Sequence, residues 1–450
     1  MMRGVWKRVG EMPPRLILAL GWLAIIVYGF PGMMTMDSIQ QLVEARAGIY
    51  TDFHPAVMAR LWHYVDKIIA GPFGMYVIQT TLFIAGLYLV LRRVFEPRRA
   101  AVATCLLALF PPVLAPMGVI WKDCFMAGAL LCGVAGLLAE KRSHKLWGLA
   151  ALALASSVRY NAPGATLPLV LILFTWLPTG DTWKLRIRRY AIAVCAWIAV
   201  TVVALGAGML LTDKQMHPWQ STLALFDTVG TLAQLDETIP DDEMRALTAG
   251  TGLLVDQDIH NAIRKRYSPI DFEPLINGEG HLWDVVITGY EPLPQAKRDA
   301  ISKMFWTTVT DHFGAWLAHR AATMKPIIAL GGPVYSPVMM HRAQYKGILE
   351  SALQLTSTWS PLQTWAQKKV QWFAKKTPLF RPWIYLVLSL VLLAFCRRHR
   401  DIFALLLSGL GLEATLFLLA PTPDYRYSHW MVISTCIAII MLVARRARAV

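Results

Sequence analysis

Charged side chains are scarce in this chain: they make up 16% of its 450 residues, whereas hydrophobic residues make up 56%. An average soluble domain carries roughly 25% charged residues, so the deficit excludes one large soluble enzyme, a disordered chain and a collagen-like chain. Apolar runs long enough to span a bilayer recur from Leu16 to Val443. The sequence therefore predicts an all-α polytopic membrane protein.

Cysteine is also rare, and the six residues all lie in or beside apolar runs. None falls in the long polar segment, which excludes a disulfide framework there, and the sequence has no CxxC or HExxH spacing typical of metal sites. We therefore predict no cofactor and no metal. A divalent cation such as Mg²⁺ or Mn²⁺ is the alternative, because Asp37, Asp52, His54 and Asp123 are hard ligands that these ions accept.

Positive charge is in excess, with a formal net charge of +15. The basic residues fall in short clusters between apolar runs, and these clusters hold 21 Lys and Arg but only five acids. The whole excess thus lies on one side of the membrane, which the positive-inside rule makes cytoplasmic. We interpret the clusters as topology anchors rather than as a nucleic-acid site, and we predict that both termini are cytoplasmic.

The alternation of apolar runs and basic clusters predicts ten transmembrane helices. Their approximate limits are 16–33, 73–91, 100–114, 124–139, 146–158, 163–178, 190–211, 383–396, 402–420 and 430–444. Residues 1–211 then form a seven-span module, whose first outer loop (34–71) has the pattern of amphipathic helices. Residues 212–381 form a mostly helical extracytoplasmic cap, and residues 382–450 supply three further transmembrane helices.

Two acidic residues of the first outer loop are candidate general bases. Asp37 directly follows the first span, where a carboxylate can face a membrane-embedded cavity. The alternative is that Asp37 caps the helix that begins with Ser38. Asp52 can equally cap the next helix, and His54 beside it can simply bind a loop carbonyl.

Two tight outer turns carry cations at membrane depth. One turn contains Lys122 and Asp123, and the other contains Arg159, Tyr160 and Asn161. A cation at this depth is unfavourable unless it meets an anion. Two alternatives follow for these cations. Each forms an internal salt bridge, for example Lys122 with Asp52 or Asp123. Otherwise they bind phosphate, with lysine as a point charge and arginine as a bidentate donor.

The last outer loop, which reads Asp424-Tyr425-Arg426-Tyr427, adds a third outward cation. Three cations with several carboxylates in one cavity suggest a phosphate-bearing lipid whose leaving group needs charge neutralisation. The candidate substrate-binding residues are therefore His54, Lys122, Asp123, Arg159, Tyr160, Asn161, Asp424, Tyr425 and Arg426.

Together these elements resemble the GT-C class of integral-membrane glycosyltransferases, which use polyprenyl-phosphate sugar donors. The matching elements are the acidic residue after the first span (Asp37), the first outer loop with interfacial helices, the seven-span module followed by a long outer segment, and the motif Asp424–Tyr427. The segment from Met36 to Pro55, with Lys122-Asp123 and Arg159–Asn161, looks most like bacterial members that act on cell-surface polysaccharide such as lipopolysaccharide.

The resemblance implies an enzyme of the bacterial inner membrane that transfers one sugar, with inversion, on the periplasmic face. Asp37 would deprotonate the hydroxyl of a glycan or lipid-linked saccharide acceptor, with Asp52 as the other candidate base. Lys122, Arg159 and Arg426 would hold the departing polyprenyl phosphate. The competing functions are a lipid-linked polysaccharide polymerase or ligase and, from another class, a lipid flippase or transporter.

Overall fold

A computed structural model of the protein describes residues 12–176, 182–235, 239–253, 259–276, 281–283, 292–336, 347, 350, 353–355 and 359–449. The α-helices are α1 (Pro14–Gly29), α2 (Met36–Ala47), α3 (Ala56–Ile68), α4 (Phe73–Leu91), α5 (Pro97–Ala108), α6 (Pro111–Met117), α7 (Lys122–Leu137), α8 (Arg142–Val158), α9 (Ala162–Leu173), α10 (Trp183–Leu211), α11 (Leu225–Ala233), α12 (Asp241–Thr248), α13 (Ile259–Arg266), α14 (Glu273–Ile276), α15 (Gln295–Asp311), α16 (Phe313–Ile327), α17 (Pro361–Lys376), α18 (Pro382–Phe395), α19 (Arg400–Leu419) and α20 (His429–Ala449). A π-helical stretch covers Trp219–Ala224, and short 3₁₀ stretches cover Pro378–Phe380 and Tyr425–Ser428. The predicted all-α class is confirmed.

Among the described residues, four helical segments are long and apolar enough to cross a membrane: α4, α10, α19 and Tyr425–Arg448, which contains α20. The pair α5 and α6 is a fifth candidate, bent by 73° where Pro111 and Pro112 interrupt the helix. Shorter apolar helices are α1, α9 and α18. Each of the ten predicted spans overlaps at least one helix, but ten crossings remain a prediction. The end of the span 163–178 and parts of the cap lie outside the described residues.

Helices α7 and α8 form an antiparallel hairpin that places Lys122 and Arg159 at the same end of the bundle. Lys122 is the first residue of α7, and Arg159 directly follows the last residue of α8. The two backbones approach closely because glycines face each other: a Cβ on Gly136 would lie 2.6 Å from the Cα of Gly148. Side chains at these two positions would force the helices apart.

The first turn of α2 is tied to the turn that precedes α7. The backbone oxygen of Met33 accepts a hydrogen bond from the nitrogen of Ile120 at 3.0 Å. Ser38 Oγ donates to the backbone oxygen of Ile120 at 2.6 Å, and Trp121 Nε1 donates to Thr35 Oγ1 at 2.8 Å. These contacts hold the start of α2 beside the start of α7.

The segment between α10 and α16 builds a second hydrophobic core, apart from the core of the apolar helices. Its buried side chains include Phe226, Val229, Met244, Ile263, Trp283, Ile301 and Met304. A buried ion cluster joins this core to α19: Asp227 accepts hydrogen bonds from Arg320 (2.9 Å) and His319 (3.1 Å), and Arg320 Nε donates to the backbone oxygen of Phe417 at 2.6 Å. The ion cluster therefore fixes the second core against the end of α19, and an extracytoplasmic position for that core remains a prediction.

Candidate functional site

Four connections between helices meet at one end of the bundle. They join α1 to α2, α6 to α7, α8 to α9 and α19 to α20, and they bring Asp37, Lys122, Arg159 and Arg426 together. These residues are separated by up to several hundred positions in the sequence. These predicted charged residues of four outer regions thus form one cluster.

Asp37 lies in the first turn of α2, and Thr35 occupies the N-cap position of that helix. The capping role considered for Asp37 therefore belongs to another residue. Its carboxylate faces the cluster instead: Asp37 Oδ2 lies 2.8 Å from Arg426 Nη2, and Oδ1 lies 3.8 Å from His54 Nε2. The side chain is 27% exposed, so that a ligand in the adjoining cavity can reach it.

Arg426 is the centre of the carboxylate contacts. Besides Asp37, its guanidinium meets Asp424 at 3.0 Å and Asp123 at 3.9 Å, and it stacks over Trp121 at 4.7 Å from the ring centre. Arg426 is 8% exposed, and its Nη1 has no hydrogen-bond partner among the described residues. A buried guanidinium with an unused N–H group favours a further anion.

Arg159 is held by groups of the protein itself. It forms an ion pair with Asp123, and its Nε donates to Asn161 Oδ1 at 3.0 Å. The ring of Tyr427 lies between the two arginines, 5.1 Å from the guanidinium of Arg159 and 5.3 Å from that of Arg426. The salt-bridge alternative thus describes Arg159 with Asp123, and not Lys122.

Lys122 differs from both arginines, because no carboxylate of the described part of the chain lies within 4.0 Å of its Nζ. Its contact is Nδ1 of His54. Burial and the adjacent charge of Lys122 lower the pKa of His54 to about 3, so the imidazole is neutral. Since the ammonium can only donate, Nδ1 accepts, and we assign the ring proton to Nε2, which faces Asp37. Lys122 therefore forms no direct ion pair within the described part of the chain, although the charge of Asp37 acts on it.

Two carboxyl groups of the cluster have shifted pKa values. Burial acts to raise the pKa of Asp37, but the positive charges around it, Arg426 first, outweigh burial and hold that pKa below its usual value. At Asp424 burial dominates over Arg426 and raises the pKa to about 7. At neutral pH, Asp37 is therefore ionised, whereas Asp424 is partly protonated.

Asp52 and Tyr160 lie at the edge of the cluster, and a hydrogen bond joins their two loops. A carboxylate oxygen of Asp52 accepts from the backbone nitrogen of Met216, and Tyr160 OH donates to the backbone oxygen of Asp52 at 2.7 Å. The salt bridge between Lys122 and Asp52 that the sequence left open is not formed. The side chain of Asp52 lines a cavity, but it is engaged with the segment that follows α10.

Tyr425 points away from the cluster into the helical core. Its OH donates to the backbone oxygen of Pro112 at 3.1 Å, and its ring packs 5.1 Å from that of Phe380. Tyr425 does not line either of the cavities described below. Its place in the predicted substrate-binding set is thus not supported by a cavity contact, and it anchors the loop that carries Arg426.

Two cavities share a wall at this cluster. The first, of about 550 Å³, has Leu416, Leu419, Ala420 and Trp219 in its lining, together with Asp52, Tyr160 and Asn161. The second, of about 650 Å³, contains Asp37, His54 and Arg426 together with Gln40, Thr51 and Phe272. Residues that line both cavities are Phe53, Lys122, Arg159, Thr222, Pro421 and Tyr427. Both chambers have mostly apolar linings, and they meet at Lys122 and Arg159; the second contains the carboxylate of Asp37, and we call it the Asp37 chamber.

Two aromatic side chains complete the cluster although the sequence analysis did not select them. Trp121 stacks under Arg426, and Tyr427 separates Arg426 from Arg159. Both were within reach of sequence reasoning, because each is the immediate neighbour of a selected cation and arginines favour aromatic faces. Thr222, which lines both cavities from the second core, carried no such signal.

The chain matches no protein-family model, and no curated protein sequence matches it. Among solved structures it is similar to ArnT from Cupriavidus metallidurans, crystallised with undecaprenyl phosphate bound, with 13% sequence identity and a TM-score of 0.36. The alignment covers 96% of this chain and 78% of that chain. The functional argument therefore rests on the geometry of the cluster.

Proposed function

We propose that the chain is an inner-membrane glycosyltransferase that moves a sugar from a polyprenyl-phosphate donor to a glycan or lipid-linked acceptor on the periplasmic face. The observation that carries this proposal is the shared wall of the two cavities. Lys122, which forms no direct ion pair with a described carboxylate, lies between a chamber suited to a lipid and a chamber that contains the ionised carboxylate of Asp37.

The donor occupies the first chamber in this proposal. Leu416, Leu419 and Ala420 suit an isoprenoid chain, and Lys122 at the shared wall meets the phosphate. Arg159 contributes a second positive charge from the same wall, although its ion pair with Asp123 reduces its share. Cations that neutralise the phosphate as the bond to the sugar breaks stabilise the transition state more than the ground state.

The acceptor occupies the Asp37 chamber, where Asp37 serves as the general base. The hydroxyl oxygen of the acceptor bonds to the anomeric carbon of the donor sugar. The bond from that carbon to the phosphate oxygen breaks, and its electron pair stays on the phosphate. The proton of the acceptor hydroxyl passes to Asp37. Because donor phosphate and acceptor approach from opposite sides of the wall, the configuration at the anomeric carbon inverts. The polar groups of Gln40 and Thr51 in this chamber suit sugar hydroxyls.

The proposal retains the ten-span topology, with both termini in the cytoplasm and the cluster at the periplasmic end of the bundle. Residues 1–211 supply the catalytic cluster except for the loop at Arg426. Residues 212–381 cover the Asp37 chamber from outside, and Phe272 and Glu273 are part of its lining. Residues 382–450 complete the bundle and bring in that last loop.

The substitution Asp37→Asn tests the base. It keeps the shape of the side chain and removes its basicity, so transfer from undecaprenyl-phosphate hexoses and pentoses to membrane extract should fall by about 10²–10⁴-fold. Binding of undecaprenyl phosphate should persist, since a negative charge near the phosphate has been removed. The matched variant Asp52→Asn should keep most of the activity.

Two outcomes contradict this assignment. Near-normal transfer by Asp37→Asn with loss of transfer by Asp52→Asn would reverse the two roles. Activity in both variants would remove the proposed base mechanism. Thermal unfolding of each variant separates lost chemistry from lost structure.

A further inference from the structure

Helix α17 exposes three large hydrophobic side chains: Leu362 is 50% exposed, Trp365 58% and Trp372 53%. Its buried face is formed by Val370 and Ala374 together with two glutamines, Gln363 and Gln367, each 4% exposed. Contact with water would oppose this arrangement, because tryptophan offers a large apolar surface to bury. The outward face of α17 therefore suits an environment other than bulk water.

The position of α17 relative to the apolar helices is fixed at both ends. Gln363 Nε2 donates to the backbone oxygen of Phe30, which directly follows α1. At the other end, the 3₁₀ stretch Pro378–Phe380 leads straight into the apolar helix α18. Helix α17 therefore lies where the apolar helices end, on the Asp37 side of the bundle.

Lysines flank the exposed tryptophans. Lys368, Lys369, Lys375 and Lys376 are all exposed, and the helix contains no acidic residue. The last two also complement the dipole at the end of a helix, but the first two lie mid-helix, where that effect is absent. An aromatic centre with basic flanks matches the headgroup region of a bilayer that contains anionic lipid.

We propose that α17 is an interfacial anchor that binds anionic phospholipid headgroups in the leaflet on the Asp37 side. Trp365 and Trp372 insert at headgroup level, and the four lysines pair with lipid phosphates. Because Gln363 ties α17 to the loop that leads into α2, the anchor sets the height of Asp37 above the bilayer. This inference rests on the membrane-protein fold and is independent of the proposed sugar transfer.

The test uses the full chain in phosphatidylcholine nanodiscs that contain a fraction of phosphatidylglycerol. A fluorophore on Gln371→Cys, in a Cys195→Ser background, reports the lipid beside α17, and spin-labelled lipid of either kind quenches it. We expect stronger quenching by phosphatidylglycerol. Replacing all four lysines with glutamine should lower this preference by at least about fivefold, the effect of one basic residue at an anionic surface.

A matched control removes exposed lysines from other helices, with Lys265→Gln and Lys303→Gln, and should keep the preference. The pair Trp365→Ser and Trp372→Ser should reduce quenching by both lipids. Equal quenching by the two lipids before substitution, or a preference that survives the four substitutions, overturns the proposal. Quenching by aqueous iodide without quenching by lipid also overturns it, because water then covers this face.

Discussion

Replacing Lys122 with methionine should weaken the binding of a lipid phosphate while leaving the fold nearly intact. Methionine keeps the apolar stem of the side chain and removes its charge. The substitution leaves no carboxylate unpaired, since the contact of Lys122 is the neutral imidazole of His54. Lys122 is therefore the cation of the cluster whose removal separates binding from folding most cleanly.

The expected magnitude follows from the contact that is lost. A hydrogen bond to a charged group contributes about 1.5–3 kcal/mol, so the Kd for undecaprenyl phosphate should rise by roughly 10- to 150-fold. The free energy of unfolding should fall by only about 1 kcal/mol, the value for one ordinary hydrogen bond. Lys122→Arg, which keeps the charge, should recover much of the affinity.

The assay is a titration of the full chain in detergent micelles with undecaprenyl phosphate, and with undecaprenol as the probe that lacks the phosphate. The unchanged protein should prefer the phosphate, and Lys122→Met should lose that preference, whereas the control Lys303→Met on α15 should keep it. Unchanged preference in Lys122→Met would refute the phosphate site. Collapse of thermal stability with unchanged affinity would make Lys122 a structural residue.

Three further outcomes follow from the cluster and the topology. Arg426→Ala should lower the free energy of unfolding by about 3–5 kcal/mol, because it strands carboxylates that lack another cation; a loss below about 1 kcal/mol in denaturant unfolding would contradict this pairing. The raised pKa of Asp424 means that the folded protein holds this proton more tightly than the unfolded chain, so the stability it contributes is present below pH about 4 and is lost as pH rises to about 7. Asp424→Asn should flatten that decline, by up to roughly 1.4 kcal/mol per pH unit, and an unchanged slope of stability against pH would contradict the raised pKa. Cysteines introduced at Lys265 and Arg448, in a Cys195→Ser background, should react with an impermeant maleimide from opposite sides of the membrane, and reaction from one side would exclude the ten-span topology.

Helix positions followed from the sequence because apolar runs mark where a helix can enter a bilayer. The run 73–91 has the same limits as α4, whereas the run 190–211 lies inside α10, which begins at Trp183. Four of the seven additional residues of α10 are basic, and hydropathy registers only the apolar part of a helix. The number of membrane crossings is harder to predict, because helices such as α1 and α9 are shorter than a straight span requires.

The pairing of charged residues could not be predicted, because the sequence identifies the charged side chains but not the direction in which each one points. Lys122 and Asp123 are adjacent, which made a salt bridge between them an open alternative. Successive residues of a helix point about 100° apart, so Asp123 turns to Arg159 and Arg426 while Lys122 turns to His54. The hairpin of α7 and α8 decides this outcome, and its close approach depends on glycines far from the cluster.

Arg426 sets the strength of the proposed base. Its charge keeps Asp37 ionised, but a lowered pKa also makes that carboxylate a weak proton acceptor. Such a base takes the proton late, after the new bond to the anomeric carbon has made the acceptor hydroxyl acidic. In the proposed function, the negative charge of a donor phosphate beside this cluster would raise the pKa of Asp37. The base would then gain strength on donor binding, and Arg426 would restrain it without the donor.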